Sequence, residues 1–278
     1  MQLNQPIFFF HIPKTAGSTL RNLLREHFAP TYVCPTWSWT TLLDLDKAEL
    51  ARYKLFQGHY YGQSGFVISQ PCFSFTILRD PIERALSHYG HVVRDPEHYL
   101  HQRAMALGSL DAYLEDPVTK MTVSNFQARM LALDVDIEAV YKELTDEQKA
   151  TWFLEQFVET NEFGMNEQEL LAAAKMKLET FDFFGVTERL SEAIALLCYK
   201  LSWKYPEKIM DLNVNTSRPK RGDVAQSTIA KLEQLNAVDI ALYEWAQQES
   251  HAKFMHVLAV LINKRAAKGW VRLLPYSI

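Results

Sequence analysis

The stretch Ile7-Phe8-Phe9-Phe10-His11-Ile12-Pro13-Lys14-Thr15-Ala16-Gly17-Ser18-Thr19-Leu20 decides the fold. Its first half is a continuous apolar run, the pattern of a strand buried on both faces. Pro13 to Gly17 is a turn of mostly small residues, and beyond it Leu20, Leu23, Leu24 and Phe28 recur at helical spacing. Strand, small-residue loop and helix in that order open a parallel α/β unit. The loop also predicts chemistry. Ala16 and Gly17 let the backbone curl so that N–H groups converge on an anion at the positive end of the next helix. Lys14 supplies a point charge, and Thr15, Ser18 and Thr19 supply hydroxyl donors. The loop therefore reads as a phosphate or sulfate site, against the plainer alternative of a βα turn with an exposed lysine. It is not GxxxxGK[ST], because its glycine follows the lysine and the earlier glycine is missing. That argues against an ATP·Mg²⁺-dependent P-loop kinase.

Outward from this unit, Cys72–Leu78 is a second β-rich run, followed by Arg79-Asp80-Pro81-Ile82-Glu83-Arg84-Ala85-Leu86-Ser87-His88-Tyr89. Asp80 fits a helix N-cap, Pro81 the first helical position and Glu83 the far side of a capping box, with a helix to about Val93. Arg79 then emerges at the C-terminal edge of the sheet, where open α/β folds bind ligands. Ser87 lies about two helical turns along. An arginine and a hydroxyl converging on one anion make a second phosphate site. The alternative is an arginine paired with a nearby acid and a serine facing solvent. Phe181–Val186 is a third strand candidate, with Leu190, Ile194, Leu197 and Leu201 at helical spacing after it, and Lys54–His59 is a short fourth. Val118–Leu133, Asp146–Glu159 and Glu167–Leu178 read as helices, 206–224 as a polar loop, and Gln226–Lys268 as two helices. The expected architecture is α/β and helix-rich, a P-loop-like parallel sheet flanked by helices, in a single domain over 1–278.

Composition limits the partners. The chain has 278 residues, 48% of them hydrophobic, with 29 Lys+Arg against 33 Asp+Glu, a net charge of −4. A protein so balanced has no global field for nucleic acid or an anionic membrane, and an anion must be held by local geometry. The run Phe254–Ile262 is too short to span a bilayer and is interrupted by His256, and no signal-peptide pattern opens the chain. Insertion into a membrane is not expected. Cys34, Cys72 and Cys198 are an odd count without CxxC, which disfavours a disulfide framework or a zinc site and points to a reducing, cytoplasmic setting. His88/His91 and His98/His101 are HxxH pairs without an acidic cluster to complete a metal site, so no metal is expected and they read as surface or cleft histidines.

HIPKTAGSTL followed by LRDPIERALSHY resembles the two nucleotide motifs of sulfotransferases that use 3′-phosphoadenosine 5′-phosphosulfate (PAPS). The resemblance implies that Lys14, Thr15, Ala16, Gly17, Ser18 and Thr19 hold the 5′-phosphosulfate, that Arg79 and Ser87 hold the 3′-phosphate, and that PAP is the product. The likeness is greatest to heparan sulfate and uronosyl 2-O-sulfotransferases, of a bacterial type. It extends in patches to Gly58-His59, to Phe184-Gly185-Val186-Thr187-Glu188, to Thr228–Leu232 and to Asp239…Tyr243-Glu244. It implies transfer of a sulfuryl group to an acceptor hydroxyl of a carbohydrate, with a small metabolite or lipid as alternative acceptors. His59, in QGHYYG, is then the general base, and Lys14 stabilises the leaving phosphate. His11, at the end of the first strand, is a further candidate for orienting a ligand. Arg129, in Asn125-Phe-Gln127-Ala-Arg129, is expected to meet an anion or to brace a helix face. The basic loop holding Ser217, Arg218, Lys220 and Arg221 lies where the resemblance implies a segment folded over the 3′-phosphate and adenine, with Ser217 and Arg218 as cofactor contacts; a polyanionic glycan, or solvent alone, is the alternative partner of its charges. Two features depart from the pattern: Golgi relatives carry a membrane anchor that this sequence does not show, and Gln57 stands where animal 2-O-sulfotransferases have a second histidine.

Overall fold

The structure, a computed structural model, describes residues 5–60, 71–132, 145, 165–209 and 219–267. Ile7–Phe10 (β1) is the first strand, and all of its side chains are buried. It pairs in parallel with Leu55–Gly58 (β2) on one side and with Phe73–Leu78 (β3) on the other. Phe183–Val186 (β4) continues the sheet beyond β3, giving the order β2-β1-β3-β4. The chain leaves β1 in one direction and returns in the other, so the topological switch lies between β1 and β3. At such a switch the strand ends open a crevice for ligands.

Alternation along β1 feeds two cores. Phe8 and Phe10 face Phe56, Phe184 and the helices Phe126–Ala132, Glu167–Thr180 and Ala237–Ala267. Ile7 and Phe9 face Gly17–Arg25 (α1) and Leu190–Leu201, through Leu20, Leu24, Ile194 and Leu197. Phe9 also stacks on Phe75 with ring centroids 4.7 Å apart. Truncating a phenylalanine buried in this way costs about 3–5 kcal/mol. A third cluster joins Pro81–Arg94, His101–Leu107, Leu110–Glu115 and Gln226–Leu235 at the side of the sheet.

The elements follow the sequence pattern with two corrections. The expected helix Val118–Leu133 is two helices, Pro117–Lys120 and Phe126–Ala132, because Asn125 between them takes a left-handed φ of 41°. Asn125 Oδ1 accepts from the N–H groups of Val238 and Asp239, and the Asp239 carboxylate accepts from those of Gln127 and Ala128. Each break thus caps the other helix. The second correction concerns the capping box of Pro81–Arg94. Asp80 accepts from Glu83 N–H as expected, but Asp80 N–H goes to Glu188, and Glu83 lies toward Arg79. The expected helix Asp146–Glu159 lies outside the described residues.

Candidate functional site

The loop after β1 curls through two non-glycine residues in the left-handed region, Lys14 at φ 74° and Ala16 at φ 61°. Such conformations cost roughly 1 kcal/mol or more each and persist where the surroundings impose them. Here they turn the chain into α1, whose N-terminus receives no side-chain cap. Its first N–H groups and the positive end of its dipole therefore suit an anion. Gly17 opens α1 because a side chain there has no room: an added Cβ would lie 1.7 Å from His11 Nε2. Thr15 differs from the expectation of a ligand hydroxyl, since it is fully buried and its Oγ1 donates to the Ile12 carbonyl. It shapes the loop instead. Ser18 and Thr19 are half-buried, and Thr19 lines a small cavity with Asn22, Glu26, Ile194 and Pro206.

The second motif grips the first. Arg79 Nη1 donates to the Lys14 carbonyl oxygen at 3.0 Å, and Nη2 lies 3.7 Å from Glu83 Oε2. The Arg79 backbone is held on both sides by the Gln127 amide. Arg84, which the motif reading did not single out, is also structural to the loop. It is buried, lies 3.9 Å over the Phe126 ring, and donates to the carbonyls of Pro13 and Thr122. Ser87 is buried one turn further on. Glu188 ties this turn to the last helix, accepting from Asp80 N–H and from the Tyr243 hydroxyl, while Thr187 Oγ1 donates to the Leu78 carbonyl. The scattered patches Phe184–Glu188 and Asp239–Glu244 thus meet around Arg79 and Asp80. Burial raises the Glu188 carboxyl above its ordinary range.

His59 follows β2 and reaches the same crevice. Its Nδ1 is 2.7 Å from the backbone carbonyl of His11, so Nδ1 carries the proton and Nε2 presents a lone pair. Burial, assisted by the charges of Arg21 and Lys14, lowers the imidazole to about 4 against the opposing pull of that hydrogen bond. It is neutral at physiological pH. At Gly58 an added Cβ would clash with the Trp37 carbonyl and the Tyr60 ring. Gly58 is there for close packing beside His59. Gln57 is buried, and with its amide suitably oriented Oε1 accepts from Arg25 of α1.

Lys14 sits among imidazoles, its charge pressing down the protonation of His11, His59, His88, His91 and His98. His88 is buried rather than on the surface, stacked with Phe126 and edge-on to His98. His101 bonds the Val92 carbonyl. Arg129 is buried and donates to the carbonyls of Met121 and Ser124, a brace and not a ligand arm. Arg221 pairs with Glu233, and Lys220 is exposed. Ser217 and Arg218 lie outside the described residues. Arg21 escaped the motif reading because helical spacing assigns it to a polar face. Its Nε is buried without a hydrogen-bond partner among the described residues.

A curled, lysine-bearing loop clasped by the arginine of a second strand–helix turn is matched, as sequence, by the profile of the sulfotransferase family over residues 1–246. The chain belongs to the sulfotransferase family. Its similarity to curated members is low but long. It is 27% identical to heparan-sulfate 6-O-sulfotransferase 2 of Danio rerio over 87% of this chain and 57% of that protein. Heparan-sulfate 6-O-sulfotransferase 3 of Mus musculus is 23% identical, over 90% of this chain and 58% of the relative. Heparan-sulfate 6-O-sulfotransferase 1 of Homo sapiens is 24% identical, over 92% and 68% respectively. The chain spans less than three-fifths of the length of the first two of these sulfotransferases. They are named for 6-O transfer, whereas the patches of motif likeness in the sequence resemble 2-O members. Among the described residues no helix is long and apolar enough to cross a membrane.

Proposed function

We propose that this sulfotransferase-family protein is a PAPS-dependent O-sulfotransferase acting on a carbohydrate hydroxyl. The observation that carries the reading is the pairing of the uncapped, lysine-bearing loop with the neutral His59, whose Nε2 lone pair is set by the bond from Nδ1 to the His11 carbonyl. PAPS supplies an activated sulfuryl group on a phosphate leaving group. The residues around it fit that chemistry: the loop N–H groups of Ala16 to Thr19 receive the 5′ anion, and Lys14 neutralises charge on the departing phosphate oxygen. His59 Nε2 takes the acceptor hydroxyl proton as that oxygen bonds to sulfur and the sulfur–bridging oxygen bond breaks. Arg79 and Ser87 receive the 3′-phosphate, with Ser217 and Arg218 of the basic loop closing over it. Most of the acceleration then comes from positioning and electrostatics, as in phosphoryl transfer.

The carbohydrate acceptor rests on the relatives' printed names, which specify heparan sulfate. Cys34, Cys72 and Cys198 are free thiols, and with them we place the protein in the cytoplasm. Calorimetry with adenosine 3′,5′-bisphosphate and with ATP, each with and without Mg²⁺, tests the donor. Tight binding of the bisphosphate independent of Mg²⁺ supports it; preference for ATP·Mg²⁺ overturns it and returns a kinase. Labelled PAPS offered to glycans, small alcohols and lipids then tests the acceptor.

A further inference from the structure

His11 lies between the phosphate loop and His59, and its two ring nitrogens are both buried without a hydrogen-bond partner among the described residues. The residue is 8% exposed. Unsatisfied polar atoms in a packed interior are costly and rare in native proteins, so each calls for an explanation. The ring has no freedom to seek a partner elsewhere. One face stacks on Phe9 at 5.2 Å, and the His59 ring lies 4.6 Å away. Its Nε2–Cε1 edge lies over Gly17, where an added Cβ would fall 1.7 Å from Nε2 and 2.0 Å from Cε1. That edge therefore abuts the first residue of α1, the uncapped helix end that already suits an oxyanion. Gly17 is the residue that permits the approach.

We propose that His11 is a contact residue of the anion site, its ring N–H donating to a phosphate or sulfuryl oxygen held at the N-terminus of α1. The proposal deepens the sulfotransferase reading and rests on it for the identity of the anion. Burial and the charges of His59, Arg21 and Lys14 keep the ring neutral, so it offers one N–H without adding a full charge. Two imidazoles then have separate tasks: His59 Nε2 accepts the proton of the acceptor hydroxyl, and His11 donates to the group being transferred or to its leaving phosphate. His11 serves twice, since its backbone carbonyl also fixes the His59 tautomer.

The test compares adenosine 3′,5′-bisphosphate with adenosine 3′-monophosphate, which lacks the 5′ anion, on wild type, His11→Phe and His11→Gln by calorimetry. His11→Phe keeps a ring against Phe9 and removes the donor; His11→Gln restores an N–H. The expected result is roughly tenfold or greater loss of bisphosphate affinity in His11→Phe, little change for the monophosphate, and partial recovery in His11→Gln. In wild type, the ¹⁵N signals of the His11 ring should move with the bisphosphate and stay with the monophosphate. Unchanged bisphosphate affinity in His11→Phe, equal loss for both nucleotides, or a ring signal that ignores the bisphosphate overturns the proposal. If His11→Phe does not fold, the wild-type ring signal and His11→Gln decide. Wild type that binds neither nucleotide overturns the donor assignment instead; inorganic sulfate titrated against the same ring signal then decides whether His11 contacts an oxyanion.

Discussion

Arg79 Nη1 donates to the carbonyl oxygen of Lys14 at 3.0 Å, so the arginine read as a ligand for the far phosphate also holds the near loop in shape. On the proposed donor, a residue in both positions would couple the two ends of the nucleotide. Arg79→Ala should weaken adenosine 3′,5′-bisphosphate about 100-fold and 5′-AMP about tenfold in calorimetry, the second loss reporting the loosened loop. An unaltered 5′-AMP affinity would confine Arg79 to the 3′ end.

His59→Ala should lower turnover with labelled PAPS by about 10²–10⁴-fold, while bisphosphate affinity stays within about threefold of wild type. Because burial holds this imidazole at about 4, the acid limb of kcat/KM should lie near there, and the rate should be level through neutrality. An acid limb near the ordinary histidine value would assign the base elsewhere.

Gly17→Ala forces a methyl group into the His11 ring, which Phe9 and His59 hold in place. Urea unfolding should show a loss of about 1–3 kcal/mol. Adding His11→Ala to Gly17→Ala should relieve the clash, so the double variant loses less than the sum of the two singles. Strict additivity would mean that the two positions do not press on one another.

Acid should destabilise the fold before it touches the carboxylates. His11, His59 and His88 are all held neutral by burial, below the value of about 6.5 that they recover on unfolding. The unfolded chain therefore binds more protons as pH falls, and the stability these groups contribute is complete above about 6.5 and lost progressively toward 4. Unfolding free energy near pH 5 should be lower than near pH 7.5 by about 2 kcal/mol or more. His88→Phe should flatten that slope.

What the sequence discloses and what it hides divide by range. The strand Ile7–Phe10, the loop after it and the turn at Asp80 were legible because short-range pattern determines them: unbroken apolar residues, small residues, an N-cap before proline. The split of Val118–Leu133 was not, because it is imposed by Val238 and Asp239 from more than a hundred positions away. The same applies inside the site. That Thr15 turns its hydroxyl inward, that Gly58 makes room for Trp37, and that Arg84 props the Pro13 carbonyl are facts of packing. Local spacing places Arg84 and Arg21 on helices but does not say what they touch.

The central position of β1 has a consequence for synthesis on the ribosome. Its own partners β2 and β3 end at Gly58 and Leu78, but β4, which pairs with β3 and completes the sheet, ends only at Val186. At about 5–20 residues per second, Phe8, Phe9 and Phe10 wait roughly 10–35 seconds after emerging before the last strand exists. Through that interval the nascent chain carries an uncovered aromatic segment that a holding chaperone could clasp. Yield in a host short of such chaperones is therefore expected to depend on how quickly residues 73–186 are translated.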